Sequence, residues 1–166
     1  MTSTSFQFRL EEPADAPTIE KLEAELFGPE RFKRAAYVLR DGVPPDPNLS
    51  FVATHGGELA ASVRMTPITI GGKAALILGP LMVTPEHKGK GAGRALVRLA
   101  LEAARGNDHK LVMLVGDLPY YGPLGFTFLG REVITLPAWV DEDRVLVAGL
   151  SEGALEGLGG VAESLR

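Results

Sequence analysis

The sequence predicts a mixed α/β (α+β) fold, a mostly antiparallel central sheet with helices on its faces. Three observations predict it. Apolar and polar residues alternate through residues 59–66, whereas residues 96–103 space their apolar side chains at three and four. Glycine pairs at Gly56-Gly57 and Gly71-Gly72 punctuate the first half as hairpin turns would. A nearly continuous apolar run over residues 74–83 reads as a strand buried on both faces.

The elements follow in order. Phe6, Phe8 and Leu10 alternate with Gln7 and Arg9, a first strand. Asp15 with Pro17 opens a helix, along which Ile19, Leu22 and Leu26 recur while Glu20, Glu23 and Glu25 form a polar face. Gly28-Pro29 stops it, and a second helix is expected over residues 30–40, burying Phe32, Ala36 and Leu39. Three prolines in residues 41–48 mark a loop. Strands at Phe51-Val52, at 59–66 and at 74–83 then form an antiparallel, hairpin-linked set. Leu96, Leu99, Ala100 and Ala103 define a helix that ends near Gly106, and residues 110–115 return to a buried strand. A short element at 119–124 precedes a strand expected through Leu129, and the last strand is expected at 144–148. The resulting order is β-α-α-β-β-β-α-β-short α-β-β.

At 166 residues the chain has the length of one domain, assigned to residues 1–150, with 151–166 as a terminal strand-and-loop extension or frayed tail. The absence of cysteine excludes disulfides, thiolate metal sites and cysteine nucleophiles. A net charge of −4 argues against a nucleic-acid binder, which needs a basic face. The opening residues MTSTSFQF lack a basic segment followed by an apolar one, so no secretion signal is expected. Gly79 and Pro80 interrupt an apolar run already too short to span a bilayer. A cytoplasmic protein with no membrane contact is the expectation.

Chemistry concentrates in residues 81–96, where Gly89, Gly91 and Gly93 stand between a buried strand and a helix. Glycines let a ligand approach the backbone, and a helix N-terminus offers unpaired N–H groups to an anion. Lys88, Lys90 and Arg94 add positive charge, making the segment a pyrophosphate cradle. Without a ligand, three glycines would cost a helix start ~1 kcal/mol each. A Walker A loop needs a Lys-Ser/Thr pair that is absent here. A dinucleotide fingerprint needs G-x-G-x-x-G after the first strand of a βαβ unit, whereas this chain has G-x-G-x-G after antiparallel hairpins.

The stretch PEHKGKGAGRAL resembles the acetyl-CoA-binding motif of the GNAT superfamily of N-acetyltransferases, R/Q-x-x-G-x-G/A after a strand, with Lys88 at the Arg/Gln position. Tyr121-Gly122-Pro123-Leu124-Gly125-Phe126 is similar to that family's Y-x-x-x-G-F signature, and LGPLMV, GKGAGRAL and LVGDLPYYGPLGF together resemble its YhbS-like branch. The resemblance implies a GNAT-like sheet with a splayed strand pair and acetyl-CoA in the gap, with no metal. Pro80 fits the expected bulge or edge. By this likeness the Leu81 N–H faces the thioester carbonyl and Val83 pairs with the pantetheine, so that Leu81, Met82 and Val83 line the cosubstrate. The amides of Lys88, Gly89, Lys90, Gly91, Ala92, Gly93 and Arg94 hold its pyrophosphate. Tyr121 is implied as the general acid for the leaving thiolate. Where the family carries an asparagine, this chain has the shorter Gly116-Asp117-Leu118-Pro119.

Asp117 is a candidate base as well as a candidate turn residue, and Tyr120 reads as packing. Glu86 and His87 are expected to face solvent and Trp139 to pack, while Arg64 reads as a solvated face or as a reach to a substrate carboxylate, and Glu20, Glu23 and Glu25 read equally as a polar helix face or as an attraction for a cationic amine. Three histidines without i, i+4 pairing make no metal site. The implied activity is direct acetyl transfer to an amine in a ternary complex, the acceptor being a small molecule or a protein N-terminus or lysine. The alternative is an acyl-CoA sensor without turnover. The resemblance also leaves a homodimer open.

Overall fold

The structure, a computed structural model, describes residues 5–166, so part of the opening segment read as lacking a leader lies outside it. The first strand, β1 (Gln7–Leu10), is an exposed edge paired antiparallel with β2 (Phe51–His55). Between them come α1 (Ala16–Phe27), a 3₁₀ segment (Pro29–Lys33) and α2 (Ala35–Arg40). β3 (Glu58–Ile70) and β4 (Lys73–Val83) form the long central hairpin, followed by α3 (Ala92–Gly106) and β5 (Leu111–Val115). The short α4 (Leu118–Tyr121), β6 (Ile134–Thr135), β7 (Val145–Gly149) and β8 (Gly160–Ser164) complete the chain. Strand order is β1-β2-β3-β4-β5-β7, with β8 beside β3 and β6 beside β8. Pairing is antiparallel except between β4 and β5 and between β6 and β8.

The two sheet faces carry separate cores. On one, Leu96, Val97 and Ala100 of α3 pack on Val63 and Met65 of β3, Leu76 of β4 and Val112 of β5. On the other, Leu39 of α2 joins Ile68, Ile77, Met113 and Val147. This partition is the strand period of two acting on an apolar run that faces a layer on each side. Among the described residues, no helix is long and apolar enough to cross a membrane.

Several expectations are corrected. The helix foreseen at 30–40 is a 3₁₀ turn followed by only six α-helical residues, because Arg34 is extended (φ −71°, ψ 143°). Phe32 is therefore 64% exposed rather than buried, with the Arg31 guanidinium over its ring. After Phe126 there is no strand through Leu129, only a single bridge between Thr127 and Val147. Trp139 is 86% exposed and not a packing residue. The terminal segment, expected as a strand-and-loop extension or a frayed tail, holds β8, whose residues 162–164 pair with Ile68, Thr69 and Ile70 on the β3 edge that β2 has left. β6 has only two residues, too few for an alternation to be read locally, and its partner β8 defines it.

Close backbone approach seats β8. Gly71 and Gly72 hold the β3–β4 turn with φ of 56° and 82°, the pair of positive angles that this turn type requires. A Cβ on Gly71 would strike the Gly159 carbonyl oxygen, whereas one on Gly72 meets nothing within 4 Å. Gly72→Ala is thus expected to cost about 1–2 kcal/mol for the left-handed backbone alone, and Gly71→Ala distinctly more. Equal losses in chemical denaturation would mean that the close approach to β8 contributes nothing.

Candidate active site

The site begins at an irregularity in β4. Val63 is opposite Leu81 and Met65 is opposite Leu78, so Arg64 of β3 faces two residues, Gly79 and Pro80. The peptide between those two is cis. β4 pairs with β5 only at Leu76 and Ile77, before this bulge, while β5 continues with β7 through Val115. The two strands part there, leaving a gap.

The bulge also fixes what faces the gap. The Thr84 N–H donates to the Ala60 carbonyl at 2.9 Å, so residues 60 and 84 are a hydrogen-bonded pair. In an antiparallel ladder such pairs alternate with open ones. The open pairs are therefore Ala61–Val83 and Val63–Leu81, and the amides of Leu81 and Val83 turn away from β3 toward the space vacated by β5. The extra residue inverts side-chain parity as well. Leu76 and Leu78 before the bulge, and Leu81 and Val83 after it, all face α3. Met82 is fully buried opposite Ser62, so its side chain lies on the other face and does not line the gap.

At the end of β4 the chain enters α3 through Gly91, the N-cap, whose φ of 90° is left-handed. The first intrahelical bond runs from the Ala95 N–H to the Gly91 carbonyl, which leaves the amides of Ala92, Gly93 and Arg94 free at the positive end of a fifteen-residue helix. A cleft of about 440 Å³ opens in front of them. Its lining includes Leu81, Val83, Lys88, Gly89, Gly91, Ala92, Gly93 and Arg94. Lys90 is exposed beside it.

Four further lining residues were not assigned to the cleft from sequence. Leu26 and Phe27 come from the end of α1, and nothing local ties that helix to a loop sixty residues on. His87, expected in solvent, is tucked in with its side chain 13% exposed, its Nδ1 2.7 Å from the Thr84 Oγ1. Its ring lies 5.2 Å from His55 and 5.7 Å from Phe6, so two of the histidines meet in space. Glu86 is exposed, as expected. The fourth is Tyr120, read as packing. Its hydroxyl stands 2.8 Å from where a Gly93 Cβ would be, and its ring lies under the Arg94 guanidinium at 5.1 Å.

Tyr121 occupies the other side of α4. Its ring packs on Phe126 and Tyr120, and a Cβ on Gly116 would collide with it. Burial pushes its phenol up to about 12, with Tyr120 and Asp117 adding to the shift and Arg144 opposing it. It therefore holds its proton throughout the neutral range. Asp117, the N-cap of α4, is exposed and receives a hydrogen bond from the Arg144 Nε at 3.1 Å. Arg64, expected on a solvated face, instead forks onto Glu11 at 2.9 and 2.8 Å, with both side chains largely buried. Removing one partner of such a pair costs about 3–5 kcal/mol.

Nearly all of the chain superimposes on a known structure. It matches the GNAT family N-acetyltransferase YhbS of Escherichia coli, solved in complex with CoA, at a TM-score of 0.82 and 26% identity, covering 99% of this chain and 92% of that one. A GNAT family acetyltransferase from Brucella melitensis, in complex with acetyl-CoA, matches at a TM-score of 0.60 and 28% identity over 75% of this chain and 84% of that one. N-acetyltransferase 8 of Rattus norvegicus is 31% identical over 98 residues, which are 54% of this chain and 44% of that protein. The chain thus spans less than half the length of that relative. Residues 16–126, from α1 through the cleft to Phe126, match the acetyltransferase (GNAT) family, and the chain belongs to it.

Proposed function

We propose that this protein is an acetyl-CoA-dependent N-acetyltransferase that moves the acetyl group directly to an amine. The observation that carries the reading is the parting of β4 from β5 beside free helix amides. It offers an extended thioester arm one strand's worth of unpaired backbone and offers its pyrophosphate a positive helix end. Two relatives of the same fold are complexes with CoA and acetyl-CoA, which supports the same cosubstrate here. Leu81 and Val83 supply the strand-like partners, and the loop from Lys88 to Arg94 supplies the anion site. No acidic side chain pairs with Lys88, Lys90 or Arg94 among the described residues.

In the transfer, the amine lone pair forms a C–N bond at the thioester carbon. Negative charge collects on the carbonyl oxygen, for which the Leu81 N–H is the assigned donor. The C–S bond breaks and the thiolate takes the Tyr121 proton, while the proton lost by nitrogen passes to Asp117, directly or through water, and on to solvent, from which Tyr121 regains one. The Tyr121 phenol carries its proton at neutral pH, as that first role requires, while the burial that raises it makes it a weaker donor in the resting protein.

Tyr121→Phe is expected to lower kcat by about 10²-fold while leaving acetyl-CoA affinity nearly unchanged. Tyr120→Phe, at the cleft wall, is expected to act chiefly on the KM for acetyl-CoA. The opposite pattern, measured where chemistry limits turnover, would transfer the acid role to Tyr120.

Gly93→Ala tests the cosubstrate site. Its Cβ would press on the Tyr120 hydroxyl and, at 3.4 Å, on Val83, without backbone strain. Calorimetry is expected to show acetyl-CoA affinity lowered by roughly tenfold or more in a folded protein. Substitution of Gly91 is a poorer test, since its φ of 90° would strain any side chain. Lys88→Glu is expected to weaken binding more at low salt than at high salt, because exposed charges are screened. Tight acetyl-CoA binding with no CoA release on any amine would make the protein a sensor instead.

A further inference from the structure

Among the described residues, three buried side-chain polar atoms have no hydrogen-bond partner: Glu23 Oε2, Tyr37 Oη and Ser62 Oγ. They come from α1, α2 and β3, yet they share one side of the sheet. Ala61, Val63 and Met65 face α3, so Ser62 and Arg64 alternate onto the α1–α2 side. Glu23 and Tyr37 lie within each other's electrostatic field there. Buried polar groups are ordinarily satisfied, and a cluster of orphans marks a place where a partner is missing.

The charges in this cluster are unevenly matched. Arg64 is taken by Glu11 in a two-pronged pair. Arg40 has no such partner. Its guanidinium lies over the Tyr37 ring at 4.4 Å and makes no ion pair and donates no hydrogen bond from its side chain among the described residues. Its Nη1 is 3.1 Å from where a Gly79 Cβ would stand, so it reaches the bulge itself, two residues from the Leu81 amide. Glu23, 5% exposed, carries the opposite charge and approaches neither Arg40 nor Arg64 closely enough for an ion pair. Burial pushes the Glu23 carboxyl up and lowers the Arg40 guanidinium to about 10, the direction in which unpaired charges move when water is removed. The fold thus holds a carboxylate and a guanidinium in one desolvated place without letting them meet. Leu26 and Phe27, one turn along α1 from Glu23, line the cosubstrate cleft, which makes the two places neighbours.

We propose that Glu23 and Arg40 are the two poles of the acceptor subsite, and that the acceptor is a small zwitterion of the amino-acid class. Its amino group lies against Glu23 and the Tyr37 hydroxyl, and its carboxylate lies on Arg40 beside the bulge. This deepens the transfer reading above and rests on it for the reaction, though not for the binding. A polyamine would leave Arg40 unmatched and repelled. A protein N-terminus followed by neutral residues would bury Arg40 without an anion, and such unpaired groups are a strong source of rejection.

Two measurements on the wild-type protein test it. In the first, CoA release is followed with a panel of free amino acids, the corresponding amino-acid amides, polyamines and neutral peptides. In the second, binding of the same compounds to the protein with CoA is measured by calorimetry. Free amino acids are expected to exceed their amides in kcat/KM by roughly tenfold or more. Arg40→Gln is expected to erase that preference mainly through KM, and Arg40→Lys to restore part of it. Turnover of amides or polyamines as fast as amino acids would overturn the subsite and leave the transferase reading standing. Amino-acid binding that needs the carboxylate, without turnover, would support the subsite and sink the transferase reading. Absence of both binding and turnover with amino acids overturns the proposal, and since the amide comparison uses unaltered protein, no folding defect can imitate it.

Discussion

The structure depends on a mismatch of one residue. Arg64 of β3 faces both Gly79 and Pro80 of β4, and an antiparallel ladder can absorb the extra residue only by bending one strand and reversing its side-chain order. The bend separates β4 from β5, and the reversal brings Leu81 and Val83 to the face of α3 while their amides turn to the gap. A regular hairpin would have carried the β4–β5 pairing onward and consumed those amides. The cleft is the direct consequence of a ladder that fails at one position.

Around this opening the two sheet faces have different tasks. The α3 face is dry and closely packed, and it fixes the helix whose N-terminus borders the cleft. Gly93 is buried there because Leu81, Val83 and the Tyr120 hydroxyl converge on it, leaving no volume for a side chain. The α1–α2 face is apolar only away from the bulge. Beside the bulge it holds Glu11, Glu23, Arg40, Arg64 and the Tyr37 phenol, ionisable groups whose burial costs free energy wherever they are left unpaired. Only Arg64 and Glu11 satisfy each other fully.

The two neighbouring tyrosines show how far adjacency in sequence misleads. Residues 120 and 121 lie on one turn of α4 and so point to different neighbours. Tyr120 borders the cleft beneath Arg94, whereas Tyr121 packs among Phe126, Gly116 and the apolar residues beneath α3. Burial distinguishes them chemically too, raising both phenols but Tyr121 more. Their division of labour is set by which wall of one short helix each occupies.

The sequence by itself determined the parts of the protein that are local. The glycine-rich entry to α3, the hairpin turns at Gly56-Gly57 and Gly71-Gly72, and the proline that disrupts β4 are legible because each states a backbone requirement within a few residues. The family motif was legible for the same reason, since the anion site is one loop and one helix end. The rest was not. Glu23 is indistinguishable in sequence from Glu20 and Glu25, and only the packing of α1 buries it and leaves the other two exposed. Phe32 and Trp139 read as core and lie outside, while His87 reads as solvated and is sheltered by Phe6 and His55. Nothing in residues 162–164 announces the edge of β3 that they complete. Chain-local patterns fix backbone geometry, but burial, charge pairing and strand partnership depend on what arrives from elsewhere in the chain. Those distant arrivals decided the environment of Glu23 and Arg40.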